Sequence, residues 1–187
     1  RMTYNEAIER FGSDKPDLRF GLELSTLSDL AEDSGFGVFK SVVSSGGIVR
    51  AFTAPGCAAY PRKTIDELTE IVKSSGAHGM MFIALSDEAE SIDALESDHV
   101  RSVIKSHVDL DTIKAMANRA GAKPGDLILM VAGATGVVNT ALSNLRGELA
   151  RRLDLIDPSE VSYLFVLDFP LFELDPVTEK WAAMHHM

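Results

Sequence analysis

Apolar residues recur at helical spacing in four parts of the chain, and polar cap residues or glycines mark where those parts begin or end. Thr3 and Glu6 form the first capping-box pattern, and Gly12 supplies a left-handed stop after it. The four patterns predict helices that begin at or after Thr3, Thr64, Asp111 and Val137 and end near Gly12, Gly76, Gly121 and Leu153. A weaker helical pattern covers residues 26–32.

Short apolar or β-branched runs lie between these helices. Residues 37–43 and 47–53 flank Ser44-Ser-Gly-Gly, and this arrangement predicts a β-hairpin. Residues 80–85 and 126–132 are continuous apolar runs of strand length. The acidic stretch 87–109 predicts a surface excursion with a short helix at residues 100–105.

Two further strands are predicted at residues 161–167 and 181–186. Taken together, the elements predict an α+β fold, in which one mostly antiparallel sheet is backed by helices on one face in two layers.

Composition narrows the class of protein. The chain has 187 residues, 45% hydrophobic and 25% charged, which is typical of a globular protein. No apolar run approaches the roughly 18 residues of a membrane span, and a single cysteine, Cys57, agrees with a reducing cytoplasm. We therefore expect a soluble cytoplasmic protein without membrane contact. The net charge of −10 argues against general nucleic-acid binding, so any RNA contact must be local.

The stretch Phe11-Gly-Ser-Asp-Lys-Pro-Asp-Leu-Arg-Phe20, here called the polar loop, has no apolar period. Pro16 forces Lys15 out of the helical region, so the chain leaves a helix, turns and runs on extended. The charged residues of the loop could form an ion-pair network at the rim of a site, or could make local turn bonds and face solvent. These residues are Asp14, Lys15, Asp17 and Arg19.

Two parts of the sequence resemble bacterial-type aspartyl-tRNA synthetases. Met2-Thr-Tyr followed by the polar loop is similar to the passage after the second class II motif, and Asp168-Phe-Pro with Ala182-Ala-Met-His-His186 is similar to a strand pair that re-enters the active site. The intervening residues 24–158 resemble the GAD insertion domain, whose two-layer fold agrees with the prediction above. Residues 1–23 and 159–187 are then expected to be catalytic-domain segments, and the chain an excised piece of a longer polypeptide.

The resemblance implies that His185 and His186 contact bound aspartate, with His185 favoured as the direct contact. Adjacent residues of a strand point to opposite faces, so only one histidine can face a given pocket. Met187 stands where the family usually has proline, which puts the local backbone path in question.

The class II motifs do not occur in this sequence, so we expect no catalytic residue and no cofactor within the chain, which should be silent alone. The resemblance implies ATP and magnesium as cofactors of the intact enzyme. It also implies tRNA, aspartate and ATP as its partners, and a homodimer.

Arg62 and Lys63 precede the helix predicted at Thr64, with Arg50 as a possible neighbour. Two cations near free helix-start amides favour an anion site, which we interpret as a contact to tRNA phosphate; simple charges flanking a helix are the alternative. The spacing of His78, His99, His107 and Cys57 does not indicate a metal site.

A second functional class stays open. GAD domains also occur in the B subunit of the aspartyl/glutamyl-tRNA amidotransferase, so the chain could be a non-catalytic module that positions tRNA. An α+β domain that binds a small acid is a third, less specific interpretation.

Overall fold

A computed structural model describes residues 1–174, 178 and 180–184. Its helices are α1 Tyr4–Phe11, α2 Ser28–Asp33, α3 Gly37–Ser44, α4 Arg62–Ser74, α5 Leu110–Arg119 and α6 Thr135–Arg152, with one 3₁₀ turn at Ser97–His99. Its strands are β1 Met2–Thr3, β2 Ser25–Thr26, β3 Ile48–Ala54, β4 Met81–Leu85, β5 Val100–Ser102, β6 Leu127–Gly133, β7 Val166–Leu167, β8 Phe172–Leu174 and β9 Trp181–Ala183.

Five of the strands form an antiparallel sheet in the order β2-β3-β6-β4-β5. The longest ladder joins β3 to β6, from Ile48 opposite Gly133 to Ala54 opposite Leu127. Helices and an antiparallel sheet in one unit confirm the α+β prediction.

Side chains on the two faces of the sheet enter two separate cores. Ile128 and Met130 pack with α2, α3 and α5, whereas Leu127 and Leu129 pack with α4 and α6. Helices therefore cover both faces in three layers, and the prediction of helices on one face was wrong. The continuous apolar sequence of β6 is the physical reason, since a strand buried on both faces does not alternate with polar residues.

The predicted hairpin was also wrong, because its first half is helix α3. Phe36, Phe39 and Val43 contact the core at helical spacing, and Phe39 is fully buried while Val38 stays 52% exposed. β3 pairs with β6 along its whole length and with β2 only at Arg50 and Ala51. The β-branched residues suggested a strand, but the apolar side chains of this segment reach the core at helical spacing.

The acidic stretch 87–109 contains a strand instead of the predicted short helix. In β5, Val100 pairs with Leu85 of β4. The stretch is not a mere surface excursion, because Ile92, Leu95 and Ile104 are buried in the same core as Ile128. The apolar residues of this stretch are isolated among acidic ones and follow no helix or strand period, so the sequence did not predict their burial.

Two helix starts differ from the prediction. Asp109, not Asp111, caps α5, since its carboxylate accepts the Thr112 N–H at 2.8 Å. Helix α4 begins at Arg62, two residues before Thr64, after the extended residue Pro61. Competing cap residues within one or two positions of each other make such boundaries the weakest part of a sequence prediction.

The amino-terminal elements form a third, small cluster. Thr3 Oγ1 accepts the Glu6 N–H at 3.2 Å and Gly12 ends α1 at φ 70°, which confirms the cap at Thr3 and the stop at Gly12. The Glu6 carboxylate binds Arg10 at 2.7 Å, so only the Thr3 half of the predicted capping box is seen. β1 pairs in parallel with β7, and Met2, Ala7 and Phe11 are buried beneath them. The strand predicted at 161–167 is shorter than expected, with only Val166–Leu167 assigned to it.

No helix in the part of the chain that the structure describes is long and apolar enough to cross a membrane.

Candidate functional site

The polar loop is ordered by bonds within itself. Ser13 Oγ accepts the Lys15 N–H at 3.1 Å. The Arg19 guanidinium donates to both oxygens of Asp17, at 3.0 and 2.7 Å, and holds the pKa of that carboxyl below its usual value. The predicted rim residues therefore include one ion pair, Asp17 with Arg19, which does not involve Asp14 or Lys15.

Asp14 faces a cleft of about 340 Å³ between the polar loop, α1 and α6. Tyr4 of α1 and Met184 line the same cleft. The Tyr4 ring packs against Phe169, with ring centroids 5.1 Å apart. Residues from both ends of the sequence thus meet at one place, next to a carboxylate and a phenol.

The phenol of Tyr4 is perturbed in this cleft. Partial burial raises the pKa of Tyr4, and the negative charges of Glu173 and Asp14 raise it further. Tyr4 is therefore a neutral hydrogen-bond donor and acceptor at physiological pH. Together with Asp14, it offers a surface suited to polar groups or cations.

His185 and His186 lie outside the described residues, so their predicted contact with aspartate stays a prediction. The residue before them is placed, because the Met184 N–H donates to the Leu171 carbonyl at 3.2 Å. β8 and β9 form the strand pair that leads to this point, with Phe172 opposite Ala183.

The three predicted phosphate contacts are not together. Arg62 lies in the first turn of α4, where its 79% exposed side chain pairs with Asp66 at 2.8 Å, and Lys63 is exposed beside it. Arg50 is only 3% exposed. Arg50 as a tRNA contact was wrong, because its position on β3 turns the side chain toward α6 and away from solvent.

Sequence reasoning missed a second buried guanidinium, that of Arg146. This side chain is 2% exposed on α6 and lies between the rings of Phe11 and Phe20, 4.9 Å from each ring centroid. A signal was available, since Arg146 follows Leu142 by four residues and precedes Leu149 by three, on the apolar side of the helix. An arginine at such a position is seldom simply solvated.

Burial lowers the pKa of Arg146 to about 10, while the charges of Glu23 and Asp17 oppose that shift. The guanidinium is therefore still cationic at neutral pH. Glu23 itself is held by Arg10, at 2.6 and 2.8 Å. The polar loop and the turn after it consequently lie within a network of charged hydrogen bonds on one side of α6.

Metal ligands are not assembled in the part of the chain that the structure describes. No group of three or more His, Cys, Asp or Glu side chains there could hold a metal ion.

Comparison with known proteins covers the whole chain. The model of the GAD domain matches residues 39–142. The chain is 45% identical over 186 residues to an aspartate–tRNA(Asp/Asn) ligase of Dehalococcoides mccartyi (strain CBDB1), covering 100% of the chain and 31% of that protein. It is 48% identical over 186 residues to an aspartate–tRNA ligase of Ruminiclostridium cellulolyticum, covering 100% of the chain and 30% of the relative. The chain thus spans about 30% of the length of the curated relatives it matches.

Proposed function

Because the chain belongs to the GAD domain family, we propose that it is the GAD-containing portion of an aspartate–tRNA ligase. One observation carries the proposal. Similarity to the ligases extends over 100% of the chain, and so includes residues 1–38 and 143–187, which the GAD match leaves out. A GAD domain from another kind of protein would not be expected to share the polar loop and the carboxy-terminal segment.

In this proposal, residues 24–158 are the GAD domain, and residues 1–23 and 159–187 are segments of the catalytic domain. An alternating row of apolar side chains supports the last assignment. Tyr163 is 89% exposed and Phe165 is 70% exposed. The alternate residues Leu164 and Val166 pack on the amino-terminal cluster. An extended segment with one covered and one exposed apolar side is suited to packing against further chain.

The intact ligase would attach aspartate to tRNA at the expense of ATP, in the cytoplasm and as a homodimer. Of the pair His185 and His186, His185 would contact the aspartate directly, since a histidine beside a carboxylate is shifted toward its cationic, donating form. The class II motifs do not occur in this sequence, so we assign ATP and magnesium to parts of the ligase beyond this chain.

The chain alone should be catalytically silent. We expect no aspartate-dependent exchange of pyrophosphate into ATP, because the groups that would stabilise phosphoryl chemistry are absent from its sequence. The measurement is the exchange rate of the purified chain with and without aspartate, and a full-length ligase serves as the positive control. Exchange by the chain above the rate without aspartate would contradict this assignment of its role.

We also propose that Arg62 and Lys63 contact tRNA phosphate in the full-length ligase. Changing both to alanine should weaken tRNA binding and reduce the slope of log affinity against log salt by about 1 to 2, or roughly one per lost phosphate contact. The control is Lys73→Ala at the other end of α4, where Lys73 also pairs with an acid, Glu70. An unchanged affinity and slope in the double variant would refute the contact.

A further inference from the structure

Two buried arginines join the amino-terminal segment to the sheet and its long helix. Arg50 lies on β3 and Arg146 on α6, and they are 3% and 2% exposed. Neither forms an ion pair with a carboxylate among the described residues; both donate to main-chain carbonyls of residues 8–22. Burying a guanidinium without a carboxylate partner costs desolvation free energy, so the position of these two side chains needs an explanation.

Arg50 holds the end of α1. Its Nη1 donates to the Ile8 carbonyl at 3.0 Å and to Asn139 Oδ1 at 2.7 Å, and its Nη2 donates to the Glu9 carbonyl. These carbonyls lie in the last turn of α1, where the helix dipole favours a cation. The Ile8 carbonyl also accepts the Gly12 N–H at 3.0 Å, so Arg50 is a second donor to it. Arg50 therefore acts as a side-chain cap that belongs to a different element from the helix it ends.

Arg146 holds the chain after the polar loop. Its Nε donates to the Leu22 carbonyl at 2.7 Å and its Nη2 to the Gly21 carbonyl at 2.9 Å. The faces of the guanidinium meet Phe11 and Phe20, the first and last residues of the loop. The Arg146 guanidinium thus contacts both ends of the polar loop.

The contacts of Arg50 and Arg146 with the amino-terminal segment are here called the clamp. They explain why the main chain is strained at Leu22. Leu22 has φ 61°, a left-handed conformation that is costly for a branched side chain. The Leu22 and Gly21 carbonyls both accept from Arg146 in this conformation. The strain is therefore located where the guanidinium binds.

We propose that Arg50 and Arg146 are positioning residues, and that through them the GAD fold fixes the place of the polar loop. The loop bears Asp14 and the Asp17–Arg19 pair, and it borders the cleft shared with Tyr4 and Met184. In the ligase, the GAD domain would then act as a splint, meaning that it holds the polar loop, one wall of the cleft, in place. That functional part rests on the proposed function above; the clamp itself does not.

Hydrogen exchange of the chain tests the clamp, with Arg146→Ala as the variant. The amides of Gly12 and Leu24, which donate to the Ile8 and Arg10 carbonyls, report on the junction. We expect them to exchange at least about tenfold faster, with the amides of β3 and β6 unchanged, because only local opening becomes easier. Arg151→Ala, an exposed position on the same helix, is the matched control and should change neither set.

Chemical rescue separates positioning from packing. Guanidinium ion at low millimolar concentration should enter the space left between Phe11 and Phe20 and restore protection, whereas equal ammonium should not, since only a planar cation can stack and donate twice. Equal acceleration in β3 and β6, no acceleration at Gly12 and Leu24, or rescue by ammonium would each overturn the clamp.

The same substitution in a full-length ligase that contains this chain tests the splint. We expect a slower rate of aspartate activation that guanidinium restores, with an unchanged melting temperature. A loosened junction with an unchanged activation rate would overturn the splint. The proposed function would survive that result, because the activity of the unsubstituted ligase carries it.

Discussion

Replacing Gly12 with valine should lower the free energy of unfolding of the chain by about 2–4 kcal/mol. Gly12 has φ 70°, which a β-branched residue adopts only at a cost. A Cβ at this position would also lie 2.6 Å from the Asn139 carbonyl oxygen, in the interior of α6. Since this contact is with main chain, no side-chain rotation can relieve it, and α1 must move away from α6.

Urea unfolding followed by circular dichroism measures this effect. Gly147→Ala is the matched control, because Gly147 lies on the same long helix and an added Cβ meets nothing within 4 Å. That change should stabilise the chain by up to about 1 kcal/mol, the usual gain of alanine over glycine in a helix. Equal effects of the same sign in the two variants would show that α1 does not pack on α6 as described.

The sequence predicts an element correctly where the residues of that segment alone determine its structure. Thr3 with Glu6 and then Gly12 bracket α1 as predicted, because a cap and a stop need only near neighbours. The apolar run of residues 126–132 is β6 within one residue at each end. The stripe from Val137 to Leu149 likewise became α6.

Sheet partners could not be read in the same way. Residues 37–44 have the composition of a strand, yet they form helix α3, with Phe39 buried against the sheet. The same limit hid the second layer of helices, since a buried run such as Leu127–Val131 does not say what covers each face. Packing against distant segments decided both cases.

The sequence indicates which charged residues belong to the candidate site, but it does not show which groups they bind. The role of the polar loop at the rim of a site stays a prediction, and Asp17 pairs with Arg19 two residues away. Arg50 was assigned to an external phosphate because its charge was visible and its burial was not. Its true acceptors, the Ile8 and Glu9 carbonyls, are about 40 residues distant in sequence.

Grafting the chain into a related ligase should give an active enzyme. The host is the aspartate–tRNA ligase of Ruminiclostridium cellulolyticum, 48% identical over this segment, with its own matching segment replaced by residues 1–187. We expect charging of tRNA with aspartate within about tenfold of the host, the loss caused by roughly 1.4 kcal/mol of imperfect fit at the new contacts. The host without the segment is the control and should not charge tRNA.

The decisive measurement is the initial rate of aspartyl-tRNA formation by this graft. We expect a rate near that of the host, and a much lower rate when Gly12→Val is added. A graft that keeps the melting temperature of the host but forms no aspartyl-tRNA would contradict the assignment of this chain to the ligase.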